Sequence, residues 1–291
     1  MPKDVSPETM PELSSSHIFS VKGKVALVTG GGSGLGKMMA TALVRNGAKV
    51  YIASRKIDEL KKQAEAMQKL APSGSASPSV IALQADVGSK AGCYALADAI
   101  KSAGEKSLDI LVNNSGITWG GMLDDFPEEK GWDKVFHLNV KSQFYLTVAL
   151  LPLLEAGKSN TKQASVINIA STAAIAPIAE GGLGEPGTGT WSYQPSKAAS
   201  LHLTRTMANS LSEKFVLVNA ILPGVFPSRM TSYALTNNKE ILEGVQPTGR
   251  TGTPEDIAGL TLLLCSRAGA HIVGQGIVVD GGQMLQFVPK L

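Results

Sequence analysis

The chain has 291 residues, with 27 Lys and Arg against 24 Asp and Glu, a net charge of +3 without any basic block. That balance excludes binding driven by nucleic-acid phosphates or by an anionic membrane surface. A 43% hydrophobic content excludes global disorder, and two cysteines, Cys93 and Cys265, exclude a disulfide framework and suit packed thiols in a reducing compartment.

The first twenty residues hold three prolines and five serines and no apolar stretch, so 1–20 reads as a flexible arm rather than a secretory signal. No run approaches the ~18 apolar residues that span a bilayer, and a soluble cytoplasmic protein is expected. Val25 to Thr29 is a continuous apolar run ending in glycines, which suits a strand buried on both faces. Leu35, Met38, Met39, Ala42 and Leu43 follow at helical spacing, closed by Asn46-Gly47. Lys49 to Ala53 is a second strand, Ile57 to Leu70 a charged amphipathic helix, and Ala71 to Ser79 a Pro/Ser/Gly loop. The alternation continues with a strand over Val80–Ala85, a helix near 89–103, a strand over Leu108–Asn113 and a helix near 129–151. Next come a strand over Ser165–Ala170, a helix near 191–212, and a strand over Val216–Leu222. A helix opens at Thr253-Pro254-Glu255, and a last strand over Gly276–Val279 leads to Asp280-Gly281-Gly282.

Seven strands alternating with helices call for parallel pairing, because right-handed crossovers place helices on both faces. The expected fold class is α/β: a single doubly wound Rossmann-type domain over 21–291, with a seven-stranded parallel sheet. Ligands of such sheets bind beyond the carboxyl ends of the strands. The least regular stretches, 171–190 and 223–252, follow strand ends there and are the expected substrate loops.

Thr29-Gly30-Gly31-Gly32-Ser33-Gly34-Leu35-Gly36 joins the first strand to the first long helix. A glycine turn at that place lets backbone N–H groups and the helix's positive end meet a pyrophosphate. Gly30, Ser33, Gly34, Leu35 and Gly36 are its expected cofactor-binding positions, although the spacing G-x-x-x-G-x-G differs from the common G-x-G-x-x-G. The second strand ends in Ala53-Ser54-Arg55-Lys56, without the acid that binds an unphosphorylated adenosine ribose. A guanidinium binds a 2′-phosphate that a carboxylate would repel, so Ser54 and Arg55 argue for NADP(H) over NAD(H).

Tyr193-Gln194-Pro195-Ser196-Lys197 sets a phenol and an amine at i, i+4, on one helix face. An adjacent ammonium stabilises phenolate and is expected to lower the phenol's pKa from about 10 toward working pH. Such a phenol can protonate a carbonyl oxygen as hydride reaches the carbon.

In chain order, Thr29 to Gly36, Asp86, Asn113-Asn114-Ser115-Gly116, Asn139, Ile167 to Ser171, Tyr193, Lys197, Pro223-Gly224 and Val279 to Gly282 together resemble the short-chain dehydrogenase/reductase family from Lys22 to Gly282. The resemblance implies that Ser171 polarises a substrate carbonyl, that Tyr193 is the acid/base, and that Lys197 holds the nicotinamide ribose. It further implies that Asn139 supports a water-linked proton relay, that Asp86 and Val87 flank the adenine, and that Asn113 lines the cofactor groove. Phe226 and Ser228 would contact the nicotinamide carboxamide. Within the family, Gly116 to Gly120 and Pro223 to Thr231 resemble the 3-oxoacyl reductase branch, especially its rhamnolipid-pathway relatives, while Val50 to Lys56 also resembles dienoyl- and enoyl-CoA reductases.

Ser115 stands where Ala is usual, and Ser228 where Thr is common. Ser171 and Tyr193 are 22 positions apart, where the family spacing is about 13. The extra residues fall around 179–189 and are expected beside the substrate. The implied activity is NADPH-dependent reduction of a 3-oxoacyl thioester or similar small-molecule ketone by a homodimer or homotetramer packed through the helices near 129–151 and 191–212. An oxidative alcohol, sterol or polyol dehydrogenase and a silent NADP-binding regulator are the alternatives. The histidines share no metal-ligand spacing, so no metal is expected. Pro289-Lys290-Leu291 resembles a loosened Ser-Lys-Leu peroxisomal ending.

Overall fold

A computed structural model describes residues 7, 10–74, 79–180 and 187–287. Seven strands form one parallel sheet in the order β3-β2-β1-β4-β5-β6-β7: Val25–Thr29 (β1), Lys49–Ser54 (β2), Val80–Gln84 (β3), Ile110–Asn113 (β4), Ala164–Ile169 (β5), Val216–Pro223 (β6) and Gly276–Val279 (β7). The strands read as unbroken apolar runs because both faces are covered, and all eight residues of β6 are buried. Neighbouring residues of one strand serve opposite faces. Val28 packs with Met39 and Leu43 of α2 (Gly34–Arg45), Leu60 of α3 (Ile57–Gln68) and Leu264 of α8 (Pro254–Cys265). Leu27 packs with Leu96 and Ile100 of α4 (Lys90–Ser102), Leu146 and Leu150 of α6 (Ser142–Glu155) and Met207 of α7 (Tyr193–Leu211). No described helix is long and apolar enough to cross a membrane.

Three local differences from the sequence reading have physical causes. Leu108 and Asp109 precede β4 instead of opening it: the Leu108 N–H goes to Leu153 O of α6, while the Asp109 N–H still bonds Val25 O of β1. The helix expected near 129–151 is a run in which π turns at Glu128–Asp133 and His137–Lys141 flank the short α5 (Lys134–Phe136). Within the expected arm, Ser15–Ile18 forms a short helix (α1) that buries none of its side chains; positions 1–6, 8 and 9 lie outside the described residues.

Cys93 and Cys265 are both buried and free, and burial pushes their thiols up to about 11 and about 12, far from nucleophilic thiolate. The order in which the chain adds strands reverses between β1 and β4, which are parallel neighbours in the sheet but far apart in sequence. A crevice opens at that switch, beyond the carboxyl ends of the strands.

Candidate active site

The glycines of the first turn are required by contact as well as by conformation. Gly30 has φ +65°, and a Cβ there would lie 2.7 Å from Asn114 Nδ2. A Cβ on Gly36 would collide with the same Asn114 nitrogen and with the Gly30 carbonyl. Alanine ordinarily favours a helix over glycine by about 1 kcal/mol, but here the collision is with backbone. Asn114 anchors the turn through Thr29: its Nδ2 donates to Thr29 O at 2.8 Å and its N–H to Thr29 Oγ1 at 3.0 Å. Ser33 occupies the N-cap of α2 without a side-chain cap bond, so the first-turn N–H groups face the crevice with their partial positive charge. This cradle fits the pyrophosphate of a dinucleotide.

At the adenosine end, β2 stops at Ser54 and Arg55 is exposed, with no ion pair among the described residues. Gln84 at the end of β3 donates to the Arg55 carbonyl at 3.1 Å, which fixes the backbone under that guanidinium. Asp86 turns back to accept from Gly88 N–H at 3.0 Å, and Val87 is buried beside it.

Asn113, expected to line the groove, does not present its side chain there. Its amide is buried and donates to Thr147 Oγ1 and Asn168 Oδ1, because alternate residues at a strand end point to opposite faces. Its neighbour Asn114, which the sequence reading left without a role, is the one that reaches the phosphate turn. Phe226 likewise turns its ring inward against Gly252, while Ser228 lies over the start of α2, 3.1 Å from a Cβ placed on Gly34.

Beyond β5, Ser171 caps a short 3₁₀ turn, its Oγ accepting from Ala173 N–H at 3.1 Å. Tyr193 opens α7, and Lys197 lies one turn on, only 4% exposed. Lys197 Nζ donates to the Ile169 carbonyl at 2.8 Å and sits 5.5 Å from the centroid of the Tyr193 ring. Asn139, fully buried in the second π turn, accepts from Ile117 N–H at 2.9 Å and donates to Ile117 O at 2.9 Å and Ser196 Oγ at 3.0 Å. An added residue in a helical turn re-aims a side chain, and here the one re-aimed bolts the loop after β4 to the helix carrying Tyr193. Ser171, Tyr193, Lys197 and Asn139, drawn from three segments, therefore share one end of the crevice.

The electrostatics reverse one expectation. Burial pushes the Tyr193 phenol above its ordinary value, and only the hydrogen bond from Ser171 pulls it back. Lys197 does not offset that burial in the cofactor-free protein, and desolvation lowers the lysine itself to about 8. In the cofactor-free protein the phenol is thus kept protonated, the form a general acid needs.

The 171–190 loop is tied at both flanks. Gly189 bridges to Gly121 and Glu180, Trp191 Nε1 donates to Gly121 O at 3.0 Å, and Gln194 Nε2 donates to Ile178 O. The rest of the extra segment, 181–186, lies outside the described residues.

A crevice at the β1/β4 switch, a glycine cradle and a Ser–Tyr–Lys group together define an oxidoreductase that works with a nicotinamide dinucleotide. A family model described as enoyl-(acyl carrier protein) reductase matches residues 30–284. The chain belongs to that short-chain dehydrogenase/reductase family. It is 42% identical over 267 residues to the rhamnolipids biosynthesis 3-oxoacyl-[acyl-carrier-protein] reductase of Pseudomonas aeruginosa, covering 91% of this chain and 97% of the relative. It is 35% identical over 271 residues to the 2-dehydro-3-deoxy-D-gluconate 5-dehydrogenase of Dickeya dadantii, covering 91% of this chain and 97% of that one. Among solved structures, the Pseudomonas aeruginosa RhlG/NADP active-site complex superposes with a TM-score of 0.82 at 40% identity, covering 91% of this chain and 98% of its own.

Proposed function

We propose that this protein is an NADPH-dependent ketoreductase that converts a 3-oxoacyl thioester or a related ketone to a secondary alcohol. The observation that carries the reading is the Tyr193 phenol, held protonated beside the Ser171 hydroxyl. Gly30, Ser33, Gly34, Leu35 and Gly36 would hold the pyrophosphate, Ser54 and Arg55 the 2′-phosphate, and Asp86 and Val87 the adenine. When bound, the nicotinamide supplies hydride to the carbonyl carbon. Ser171 hydrogen-bonds the carbonyl oxygen, and the Tyr193 proton moves to that oxygen as the C–H bond forms, so the C=O group becomes CH–OH. Lys197 would hold the nicotinamide ribose, and Asn139 keeps the loop after β4 in register with α7.

The loops around the site favour an apolar substrate chain over a sugar acid. Arg229, Lys239 and Arg250, the basic residues of the described parts of both loops, are paired with Glu59, Glu243 and Asp256. Ile175, Ile178, Met230, Tyr233 and Ile241 in the same loops are exposed. An acyl chain buries such side chains, whereas a sugar carboxylate calls for an unpaired cation. A panel of 3-oxoacyl thioesters, simple ketones and keto sugar acids tests this. NADPH consumption is expected on the thioesters, rising with acyl length, and consumption confined to the sugar acids would overturn the reading.

Arg55 sets the cofactor. Arg55→Asp is expected to weaken NADPH binding by about 100-fold and to leave NADH within a few-fold, as read by nicotinamide fluorescence titration. A homodimer or homotetramer packed through α6 and α7 belongs to the same proposal. Phe144 on α6 is exposed and shares an apolar groove with Val148, Leu151, Leu203 and Met207. Sedimentation equilibrium is expected to show no monomer at micromolar concentration, and Phe144→Glu to release it.

A further inference from the structure

We infer that Arg229, supplied by the loop after β6, is a second guanidinium of the adenosine 2′-phosphate subsite and is parked on Glu59 in the cofactor-free protein. The inference rests on the NADP(H) reading and extends it to a residue distant in sequence from the Ser54-Arg55 pair.

Glu59 lies in the first turn of α3, directly after Arg55 and Lys56. Its two carboxylate oxygens are shared: Lys56 Nζ is 3.2 Å from Oε1, and Arg229 Nη2 is 2.8 Å from Oε2. Both cations hold the Glu59 carboxyl below its ordinary range. A carboxylate next to a 2′-phosphate would repel it, so Glu59 suits such a subsite only while cations neutralise it.

The route of the loop explains how Arg229 arrives there. Ser228 lies over Gly34 at the start of α2, and Leu60 of α3 lies under Gly32. A link from residue 229 to Glu59 therefore crosses the phosphate turn. The backbone on either side is fixed by a knot of short bonds. Thr231 Oγ1 donates to Phe226 O at 2.6 Å and accepts from Ser228 N–H at 3.0 Å, and Thr231 N–H donates to Ser228 Oγ at 3.2 Å. The turn aims Arg229 at α3 rather than at the substrate.

The ion pair itself is weak, because Arg229 and Glu59 side chains are 71% and 51% exposed and water screens the attraction. A dianionic phosphate is a stronger partner for a guanidinium, through bidentate charge-assisted bonds. Arg229 can therefore leave Glu59 at little loss, while Lys56 stays to neutralise the carboxylate. The exchange also joins the two ends of the site, since Arg229 follows Ser228 in the loop expected to border the substrate. A cofactor lacking the 2′-phosphate would leave Arg229 on Glu59 and make no such link.

The test is calorimetric titration of the intact protein with adenosine 2′,5′-bisphosphate and adenosine 5′-monophosphate, with no turnover involved. Arg229→Gln is expected to lose about tenfold in affinity for the bisphosphate and none for the monophosphate. Glu59→Gln, which frees Arg229 and removes a negative charge, is expected to bind the bisphosphate several-fold more tightly than wild type. If Arg229→Gln keeps the wild-type ratio of the two affinities, the inference is overturned while the NADP(H) reading stands. A wild-type protein that binds both probes equally would overturn the NADP(H) reading and this inference together.

Discussion

Tyr193→Phe is expected to lower ketone reduction by about 10³-fold while NADPH binds within about threefold of wild type. The change removes one oxygen from a half-buried ring at the start of α7. The proton it removes is the one a developing alkoxide needs, and Ser171 is no substitute as an acid. Ser171 Oγ accepts from the Ala173 N–H and can still donate a hydrogen bond, but a serine hydroxyl has no means of shedding its proton near neutral pH. The raised phenol also sets the pH profile. Reduction should hold constant through neutral pH and fall only in the alkaline range, where Tyr193 loses its proton. A profile already falling below neutrality would mean that the ammonium of Lys197 dominates the phenol after all. Steady-state rates at saturating ketone, with NADPH affinity titrated separately, check both points.

Lys197→Met is expected to abolish turnover and yet to stabilise the fold near neutral pH. Lys197 is 4% exposed, and its Nζ donates to the Ile169 carbonyl. Desolvation lowers its pKa from 10.5 in the unfolded chain to about 8. The folded state gives up this proton before the unfolded state does, so the group opposes folding in full below about pH 8. The penalty shrinks as pH rises and is gone above pH 10.5. Methionine has nearly the same volume and no charge, so the gain at pH 7 is of order 1–3 kcal/mol after loss of the Ile169 bond. Denaturant midpoints at pH 7 and pH 10.5 should show a stabilised variant at the first and a smaller difference at the second. An equally destabilised variant at both would remove the case for a charge held against its solvation energy. Active sites that trade stability for chemistry are a general pattern.

The strands were legible because each is a short apolar run bounded by glycine, proline or a charged helix start, and burial on both faces leaves no other use for such a run. Boundaries slipped where a backbone bond outside the sheet claimed a residue, as the Leu153 carbonyl claims the Leu108 N–H. The helices near the site were legible in position and not in detail. Nothing in Glu128 to Lys141 marks the π turns, and Asn139 in the second of them pairs with Ile117, 22 residues away. The residue types of the catalytic group were readable from spacing, because tyrosine and lysine one turn apart face the same way. Their electrostatics were not, because desolvation depends on what the fold packs around them. Asn113 and Asn114 show the same limit. Two identical side chains differ in role only because consecutive residues at a strand end point to opposite faces. The tie from Arg229 to Glu59 spans 170 positions and leaves no local trace at all.

The central claim is that this site reduces a carbonyl group and not a carbon–carbon double bond. The most direct measurement follows deuteride from nicotinamide-labelled NADPH into equimolar 3-oxoacyl and 2-enoyl thioesters of the same chain length, with the products read by NMR. The account predicts deuterium on the carbinol carbon of a 3-hydroxyacyl thioester, with the hydroxyl proton from solvent and the enoyl thioester untouched. Deuterium at carbon 3 of a saturated acyl thioester, with the 3-oxo compound unconsumed, would contradict it.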